Sequence, residues 1–333
     1  MAVTAADSEE FAGFVATLGR GPGRSRSLTR AEARRALAMV LAGRIEEIQL
    51  GAFLMLLRYR GEDVEEIAGL VDAARAHAGL GAPAGAPPVD LDWPSYGAGR
   101  TRSLPWFLLA ALALAASGRR VLMHGSNEFS SSVSVEAALA ALGLAPSASR
   151  ADVLADLAQR NFAYWPLAGL SPALERLLGM RRLLGLRSPI NTVARLLDPM
   201  DARAGIDGVF HPPYIAVHLG TAALLRRPSL LVLKGGGGEA ERNPLKPVAA
   251  FLQQAAAPAR EMALPAFLGQ GGSAPDGPAL DHFRAVWQGR AEDEIGGATA
   301  IATLALGLLA LGEAASPEEA DRNAVAIWRQ RLG

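Results

Sequence analysis

Apolar side chains in the first quarter of the chain recur at helical spacing. Within residues 64–78 they fall at Ile67, Leu70, Val71 and Ala74, which places them on one face of a helix. No alternation of apolar and polar residues, the pattern typical of a strand, interrupts residues 9–78. The pattern therefore predicts a lobe built only of helices.

Capping residues predict where helices of this lobe begin and end. Thr29 and Glu32 stand three positions apart, as in a capping box, and predict a helix over 30–42 that Gly43 ends. A second apolar helix is predicted over 50–59. The sequence Gly-Glu-Asp at 61–63 separates it from the helix over 64–78.

The pattern changes after residues 79–88, a stretch of Gly, Pro and Ala that predicts a linker. Short apolar runs beyond it predict strands at 89–93, 119–124, 162–167 and 230–234. Helical patterns near 104–117, 130–142, 151–159 and 212–225 lie between these strands. Such alternation predicts a largely parallel sheet with crossover helices.

Three later segments differ from this alternation. Residues 172–186 predict a helix flanked by loops, which we expect to rejoin the helical lobe. Residues 297–311 predict an apolar helix, and 317–331 predict an amphipathic one. Residues 252–290 are rich in Gly, Pro and Ala, and no strand is predicted there.

Composition narrows the function classes. The 333 residues carry 33 basic and 33 acidic side chains, and this balance argues against a uniformly basic nucleic-acid binder. The absence of cysteine excludes disulfides, thiol nucleophiles and cysteine metal sites. The longest apolar run, 104–116, is too short to span a bilayer, and the acidic start is unlike a targeting segment. We therefore expect a cytoplasmic protein that does not bind membranes.

Arginine supplies nearly all of the positive charge, because the sequence has two lysines, Lys234 and Lys246. Guanidinium groups bind phosphates through two parallel hydrogen bonds and stack on bases. A genome rich in arginine codons explains the same bias. Six arginines are dense near the start, where a phosphate-tracking arm and a solvated helix start are equally compatible with the pattern: Arg20, Arg24, Arg26, Arg30, Arg34 and Arg35.

The segment 93–125 is the first place where the chain could hold a phosphate. Gly97 and Gly99 allow a sharp turn close to a ligand, and the helix that follows presents backbone N–H groups at its start. Arg100 and Arg102 add full charges. A glycine loop before a helix is also a common connection, so an anion site and a simple loop stay open as alternatives.

Four stretches resemble one family in the order that the family has them. LGAFLMLLRYRGEDVEEIAGLVDAARAHA at 50–78 resembles the helical-domain signature of anthranilate phosphoribosyltransferases. HGSNEFSSSVSVEAALAALG at 124–143 resembles their second phosphate-contacting loop. GMRRLLGLRSPINTVARLLDP at 179–199 resembles the segment with the substrate arginine, and LLVLKGGGGE at 230–239 resembles the metal-carboxylate loop.

This resemblance implies a fold and an assembly. It implies an anthranilate phosphoribosyltransferase or nucleoside phosphorylase-like fold, with a small N-terminal helical-bundle domain and a larger α/β domain whose sheet is mainly parallel. The helical domain is expected at 1–82, joined by an inserted segment at about 170–195, and the α/β domain at 88–168 and 196–333. A homodimer through the helical domains is also implied.

The positions that carry the enzyme chemistry depart from the family pattern. Residues 96–101 read Tyr-Gly-Ala-Gly-Arg-Thr where the family has Gly-Thr-Gly-Gly-Asp-Gly, and apolar residues at 105–108 match its Asn-Ile-Ser-Thr. At the metal loop Glu239 remains as a weak candidate ligand for Mg²⁺, with Glu241 as a partial replacement for its partner. Departure of pyrophosphate needs such electrostatic groups, so we expect no anthranilate activity and no cofactor.

The departures resemble a divergent subgroup, the YbiB-type proteins. The shared residues are Trp-Pro-Ser-Tyr at 93–96, the His-Gly of 124–125, the Met-Arg and Gly-x-Arg of 180–187, and His-Pro-x-Tyr-Ile at 211–215. Membership of the subgroup implies a dimer without catalysis that binds DNA with little sequence preference.

The candidate site follows from these motifs. The candidates for binding an anion or nucleic acid are Gly97, Gly99, Arg100, Arg102, Arg176, Arg181, Arg182, Arg187 and Lys234. The candidates for contacting a ligand are His124, Ser131 and Asn191. A polar helix face, salt bridges between lobes and a surface loop account for several of these residues equally well.

Two functions from different classes remain. The leading hypothesis is a homodimer that binds DNA or another nucleic acid non-specifically through arginines. The alternative is an active phosphoribosyl or glycosyl transferase with an altered acceptor, which would use Mg²⁺ and phosphoribosyl pyrophosphate. A third hypothesis is a sensor that binds a small ligand in the cleft between the lobes.

Overall fold

The computed structural model describes residues 3–21, 23–97, 104–127, 133–255, 257–269 and 279–332. Its helical lobe begins with four helices: α1 Ala5–Gly19, α2 Arg30–Leu41, α3 Glu47–Arg60 and α4 Val64–His77. The predicted capping box is present, because the Thr29 side chain accepts from the backbone N–H of Glu32 and the Glu32 carboxylate accepts from that of Thr29. A later segment adds α8 Leu167–Leu170, α9 Pro172–Gly179, α10 Arg181–Leu184 and α11 Ile190–Arg195. Helix α11 contacts α4, which joins this segment to the N-terminal helices.

The α/β lobe is built on one sheet of seven strands in the order β3-β2-β1-β4-β5-β6-β7. Strands β1 to β5 pair in parallel, whereas β6 and β7 extend the sheet in antiparallel fashion. The strands are β1 Leu91–Ser95, β2 Val121–Gly125, β3 Phe162–Pro166, β4 Ala204–Val209, β5 Ser229–Lys234, β6 Val248–Gln254 and β7 Arg260–Leu264.

Two cores cover the two faces of the sheet. One core joins the sheet to α5 Trp106–Ala116, α6 Val135–Ala141, α13 Leu280–Trp287, α14 Glu294–Leu311 and α15 Pro317–Gln330. The other core joins the opposite face to α7 Arg150–Arg160, α12 Tyr214–Leu224 and the helices of the helical lobe. Because the second core is continuous with the interior of the helical lobe, both lobes bury apolar surface in the same cluster.

Helix α14 is apolar enough and long enough to cross a membrane by length and composition alone. Most of its residues are buried against α5, α15, β4 and β5. This placement is that of a helix in the hydrophobic core.

The fold class predicted from the sequence is confirmed. Four predicted strands are present with their ends shifted by one or two residues. Strand β4 was not predicted, because Gly205 and Gly208 weaken the strand pattern. An added Cβ at Gly208 would overlap the backbone of Glu239 and Ala240, so glycine here permits the segment after β5 to pack against β4.

Two other sequence expectations differ from the structure. The helix predicted over 172–186 is two shorter helices, α9 and α10, which meet at Met180. The region 252–290, where no strand was predicted, contains the end of β6, the strand β7 and helix α13. The antiparallel pairing of β6 and β7 with β5 supplies backbone partners that local composition does not reveal.

Candidate functional site

The candidate site lies at the carboxyl edge of the parallel strands, where the chain reverses the direction in which it adds strands. Strands β1 and β4 are neighbours at the centre, β2 and β3 continue to one side, and β5 continues to the other. In open α/β sheets ligands bind at this point of reversal. Segments that follow β1, β4 and β5 meet here.

The glycine loop contacts one of the chain's own carboxylates. The backbone N–H of Gly97 donates to Glu239, which follows β5 and is buried. An added Cβ at Gly97 would overlap the Glu239 carboxylate, so glycine at this position makes the close approach possible. The predicted residues Gly99, Arg100 and Arg102, further along the loop, lie outside the described residues.

A second carboxylate from the same segment caps the helix after the loop. Glu241 accepts a 3.0 Å hydrogen bond from the backbone N–H of Phe107, in the first turn of α5. Carboxylates stabilise helix N-termini by satisfying exposed N–H groups and by interacting with the helix dipole. In the described part of the chain no group of three or more His, Asp or Glu side chains could hold a metal ion.

His124, a predicted ligand contact, lies in a buried polar network. Its Nδ1 is 2.8 Å from the Tyr96 hydroxyl, and its Nε2 is 3.2 Å from an oxygen of Asp92. Asp92 also accepts a 2.8 Å hydrogen bond from Arg227, and burial raises the pKa of Tyr96. Burial opposes ionisation of Asp92, but His124 and Arg227 hold its pKa below the usual value. Because the His124 side chain is fully buried, the structure favours a core role over direct contact with a ligand.

Four arginines from different elements form a cluster in the cleft between the lobes. We call Arg58, Arg181, Arg187 and Arg195 the arginine cluster. Burial lowers the pKa of the Arg187 guanidinium, and the positive charges of Arg195, Arg181 and Arg58 lower it further. The structure therefore brings Arg58 close to three arginines that follow it by more than a hundred residues in the sequence.

The arginine cluster borders a cavity of about 150 Å³ between the lobes, the interlobe pocket. Its charged wall residues are three arginines and one glutamate: Arg58, Arg187, Arg195 and Glu62. Its other wall residues are Ser188, Asn191, Thr192, Gly208, Val209, Phe210, His211, Tyr214 and His218. With histidine neutral, these side chains carry a net charge of +2.

Glu62 connects the two lobes at the pocket wall. Its carboxylate accepts a 2.6 Å hydrogen bond from the Thr192 hydroxyl and a 3.0 Å bond from the Tyr214 hydroxyl. The Arg58 guanidinium lies 3.7 Å from it and also donates to the Tyr214 oxygen. Since Glu62 and Arg58 belong to the helical lobe, this network fixes the helical wall of the pocket against α11 and α12.

The remaining predicted residues occupy varied positions. Asn191 is buried in the pocket wall, where its amide donates to the Ser188 carbonyl at 3.1 Å. Arg176 on α9 and Arg182 on α10 are exposed, as is Lys234 at the end of β5. Ser131 lies outside the described residues. Of these predicted site residues, Asn191 therefore lies in the pocket wall, whereas Arg176, Arg182 and Lys234 lie on the outer surface.

Sequence reasoning missed several pocket residues. Arg195 stands four positions after Asn191, so a helix places both on one face, and this spacing could have identified it. Arg58 and Phe210 had no signal of this kind, because their position at the pocket depends on how the two lobes meet. The Arg187 guanidinium lies 6.0 Å from the centre of the Phe210 ring, within the range of a cation–π contact.

The arginines near the N-terminus differ from the arginine cluster. Arg26 pairs with Glu32, Arg30 with Asp72, and Arg35 with Glu10, each at 2.7 Å. These ion pairs stabilise the helical lobe and neutralise three charges of the expected phosphate-tracking arm. The structure thus favours the solvated helix start for this set.

Sequence comparisons relate the chain to two groups of proteins. Residues 12–78 match the helical bundle domain of a glycosyl transferase family. YbiB of Escherichia coli is 29% identical over 243 residues, which cover 71% of this chain and 73% of YbiB. The anthranilate phosphoribosyltransferase of Nitratidesulfovibrio vulgaris is 33% identical over 208 residues, which cover 62% of this chain and 61% of the relative.

Solved structures show the same fold over nearly the whole chain. Anthranilate phosphoribosyltransferase from Thermus thermophilus matches with a TM-score of 0.75 and 22% identity, covering 97% of this chain and 94% of that one. The enzyme from Saccharomyces cerevisiae, solved in complex with PRPP and Mg, matches with a TM-score of 0.79 and 15% identity over the same shares. The chain is therefore similar in sequence to YbiB and to anthranilate phosphoribosyltransferases, and it has an anthranilate phosphoribosyltransferase-like fold.

Proposed function

We propose that this protein binds nucleic acid non-specifically through arginines at the cleft between its lobes, and that it does not catalyse Mg²⁺-dependent phosphoribosyl transfer. The observation that carries the binding proposal is the arginine cluster. The electrostatic neighbours that lower the pKa of Arg187 are other arginines. A region of like charge is a favourable site for phosphates, because binding them releases counterions and relieves repulsion.

The surface around the arginine cluster has the features of a site for unpaired strands. Arg176 and Arg182 are exposed on neighbouring helices beside Arg181. Phe210 at the mouth of the pocket is 48% exposed. Aromatic rings beside cationic side chains hold successive bases by stacking without sequence preference. This combination supports single-stranded nucleic acid as the ligand class.

A net charge of zero is compatible with this proposal, because several arginines outside the cleft are neutralised by acidic partners. Arg44, Arg75, Arg119 and Arg203 form ion pairs with Asp7, Asp201, Glu313 and Asp90 away from the cleft. Local positive potential can exist on a molecule whose charges balance overall.

The two carboxylates at the glycine loop support the absence of transferase chemistry. A departing pyrophosphate needs free N–H donors and a bound metal ion. Here Glu239 accepts from the loop N–H of Gly97, and Glu241 accepts from the first turn of α5. Each carboxylate occupies a donor that a phosphate would need. The described residues therefore fit a Mg²⁺–pyrophosphate group poorly.

Binding of a labelled single-stranded oligonucleotide, followed by fluorescence anisotropy at several salt concentrations, tests the main proposal. We expect affinity to fall steeply from about 50 to about 200 mM salt. The double variant Arg181→Ala/Arg182→Ala should bind roughly tenfold more weakly, with a salt slope smaller by about 2. Light scattering on the same sample tests the homodimer through the helical lobe, which exposed Ile48 and Tyr59 on α3 support.

The matched control is Arg322→Ala/Arg329→Ala, which removes two exposed arginines of α15 far from the cleft. It should bind as the unmodified protein does. Absence of binding at about 50 mM salt, or an equal loss in both double variants, would contradict the proposed surface. Heat of binding for phosphoribosyl pyrophosphate with Mg²⁺, together with turnover of an aromatic amine, would instead establish the alternative, an active transferase.

A further inference from the structure

We propose that the interlobe pocket binds a ribose 2′-hydroxyl through His218 and Ser188, and that this contact makes the protein prefer RNA to DNA. The inference rests on the proposed binding of single strands, and it names the class of strand. In this contact the sugar hydroxyl donates to Nε2 of His218 and accepts from the Ser188 hydroxyl.

His218 on α12 forms a buried pair with Asp207 on β4. The Nδ1 atom of His218 is 2.6 Å from a carboxylate oxygen of Asp207, and both side chains are buried. Because an ionised carboxylate only accepts hydrogen bonds, Nδ1 carries a proton and donates. In the neutral imidazole the other ring nitrogen, Nε2, is then an acceptor. Asp207 therefore holds the ring in the form that offers an acceptor to a ligand.

The Nε2 atom of His218 is available to the pocket. His218 lies in the pocket wall, and within the described residues its hydrogen-bonding partner is Asp207 alone. Nε2 remains accessible, whereas Oδ1 of Asp207 and the Thr221 hydroxyl are sealed from solvent without a hydrogen-bond partner. An acceptor inside a cavity gains a hydrogen bond when a donor enters and displaces solvent. The pocket therefore favours ligands with an O–H or N–H group.

Ser188 supplies a second polar group in the same wall. Its side chain is buried, and its hydroxyl makes no hydrogen bond within the described part of the chain. Its backbone carbonyl accepts from the backbone and the side chain of Asn191, which holds the residue just before α11. A serine hydroxyl both donates and accepts. An alcohol that donates to His218 and accepts from Ser188 satisfies both groups, whereas a methyl ether or a fluorine cannot donate to His218.

The size and position of the pocket favour a sugar over a base. A cavity of about 150 Å³ accommodates one benzene molecule, and a ribose ring is of similar size. Phe210 at the mouth is exposed and provides a ring on which a base stacks outside the cavity. The sugar joins the base to the phosphate backbone, so a stacked base brings its own sugar to the pocket. A contact to the 2′-hydroxyl there distinguishes RNA from DNA.

Fluorescence anisotropy with labelled strands of equal length tests the inference on the full-length protein. The strands are oligouridylate, its 2′-fluoro and 2′-O-methyl forms, and oligodeoxyuridylate, so the base is constant and the 2′ group changes. We expect oligouridylate to bind roughly five- to tenfold more tightly than the others, which is the effect of one or two hydrogen bonds. Equal affinity of the 2′-fluoro strand or of oligodeoxyuridylate would overturn the inference, because neither carries the hydroxyl donor.

Two variants assign the preference to the pocket. His218→Asn, which keeps an N–H donor for Asp207, and Ser188→Ala should each reduce the preference for oligouridylate to less than about twofold without weakening oligodeoxyuridylate. His77→Asn changes an exposed histidine at the end of α4 and, as the matched control, should keep the full preference. A preference that survives in both pocket variants would overturn the site. Failure of every strand to bind refutes the proposed function as well, whereas equal binding of all strands refutes only the hydroxyl contact.

Discussion

Two regions at the same edge of the sheet have opposite electrostatic character. At the glycine loop, Glu239 and Glu241 meet backbone N–H groups that could otherwise hold an anion. In the interlobe pocket, Arg58, Arg187 and Arg195 gather around a cavity with one acidic wall residue. The loop therefore carries its own anion, whereas the pocket wall carries an excess of positive charge.

The variant with the largest expected effect tests how firmly the Glu239 segment is held at the glycine loop. Gly208→Ala places a Cβ against the backbone of Glu239 and Ala240, so it should destabilise the protein by about 3 kcal/mol. Thermal unfolding measures this, with a fall in Tm of roughly 6–12 °C. Gly236→Ala is the control, because no atom lies near the added Cβ. Equal melting temperatures for both variants would show that the segment moves freely.

A second test converts the loop into an empty anion site. The double variant Glu239→Ala/Glu241→Ala releases the N–H groups of Gly97 and Phe107. We expect it to bind inorganic pyrophosphate roughly tenfold more tightly than the unmodified protein does. Calorimetry gives the affinities. Glu313→Ala/Glu318→Ala removes the same charge from an exposed region and should not change them. Tight pyrophosphate binding by the unmodified protein would contradict the comparison.

The variant with the smallest expected effect removes the partner of one of the paired arginines in the helical lobe, for comparison with the arginine cluster. Hydrogen bonding to Arg26 lowers the pKa of Glu32 to about 2 from its ordinary 4.5. Because the folded pKa is depressed, this stabilisation is complete above pH 4.5 and is lost as pH falls toward 2. Glu32→Gln should reduce stability at neutral pH by less than about 1 kcal/mol and flatten the acid limb of the stability curve. Chemical denaturation at several pH values measures both; Glu47→Gln, an exposed glutamate of α3, should leave the curve unchanged.

The fold was more predictable than the site. Capping at Thr29, the apolar face around Leu70 and the short apolar strands are local patterns, and they predicted the helical lobe and the parallel sheet. Strands β4, β6 and β7 were missed, because glycines in β4 and mixed composition around β6 and β7 conceal pairing that depends on distant strands.

The candidate site was predictable only in part. Arg181, Arg187 and Asn191 were identified, and the structure places all three at the cleft or its pocket. Arg58 and Arg195 were missed as partners of Arg187, and His124 was expected at a ligand but is buried. Arg100 and Arg102 lie outside the described residues, so their role stays a prediction.

By itself the sequence determined the two-lobed architecture, the glycine loop and the number of arginines. Periodicity, capping and composition depend on residues that are neighbours in the sequence. Only the tertiary structure decided which charges meet. Gly97 and Glu239 are 142 residues apart, and Phe107 and Glu241 are 134 apart. Electrostatic energy depends on distance in space. The glutamates therefore meet the loop, and the arginines meet one another, only when the chain folds and brings these distant segments together.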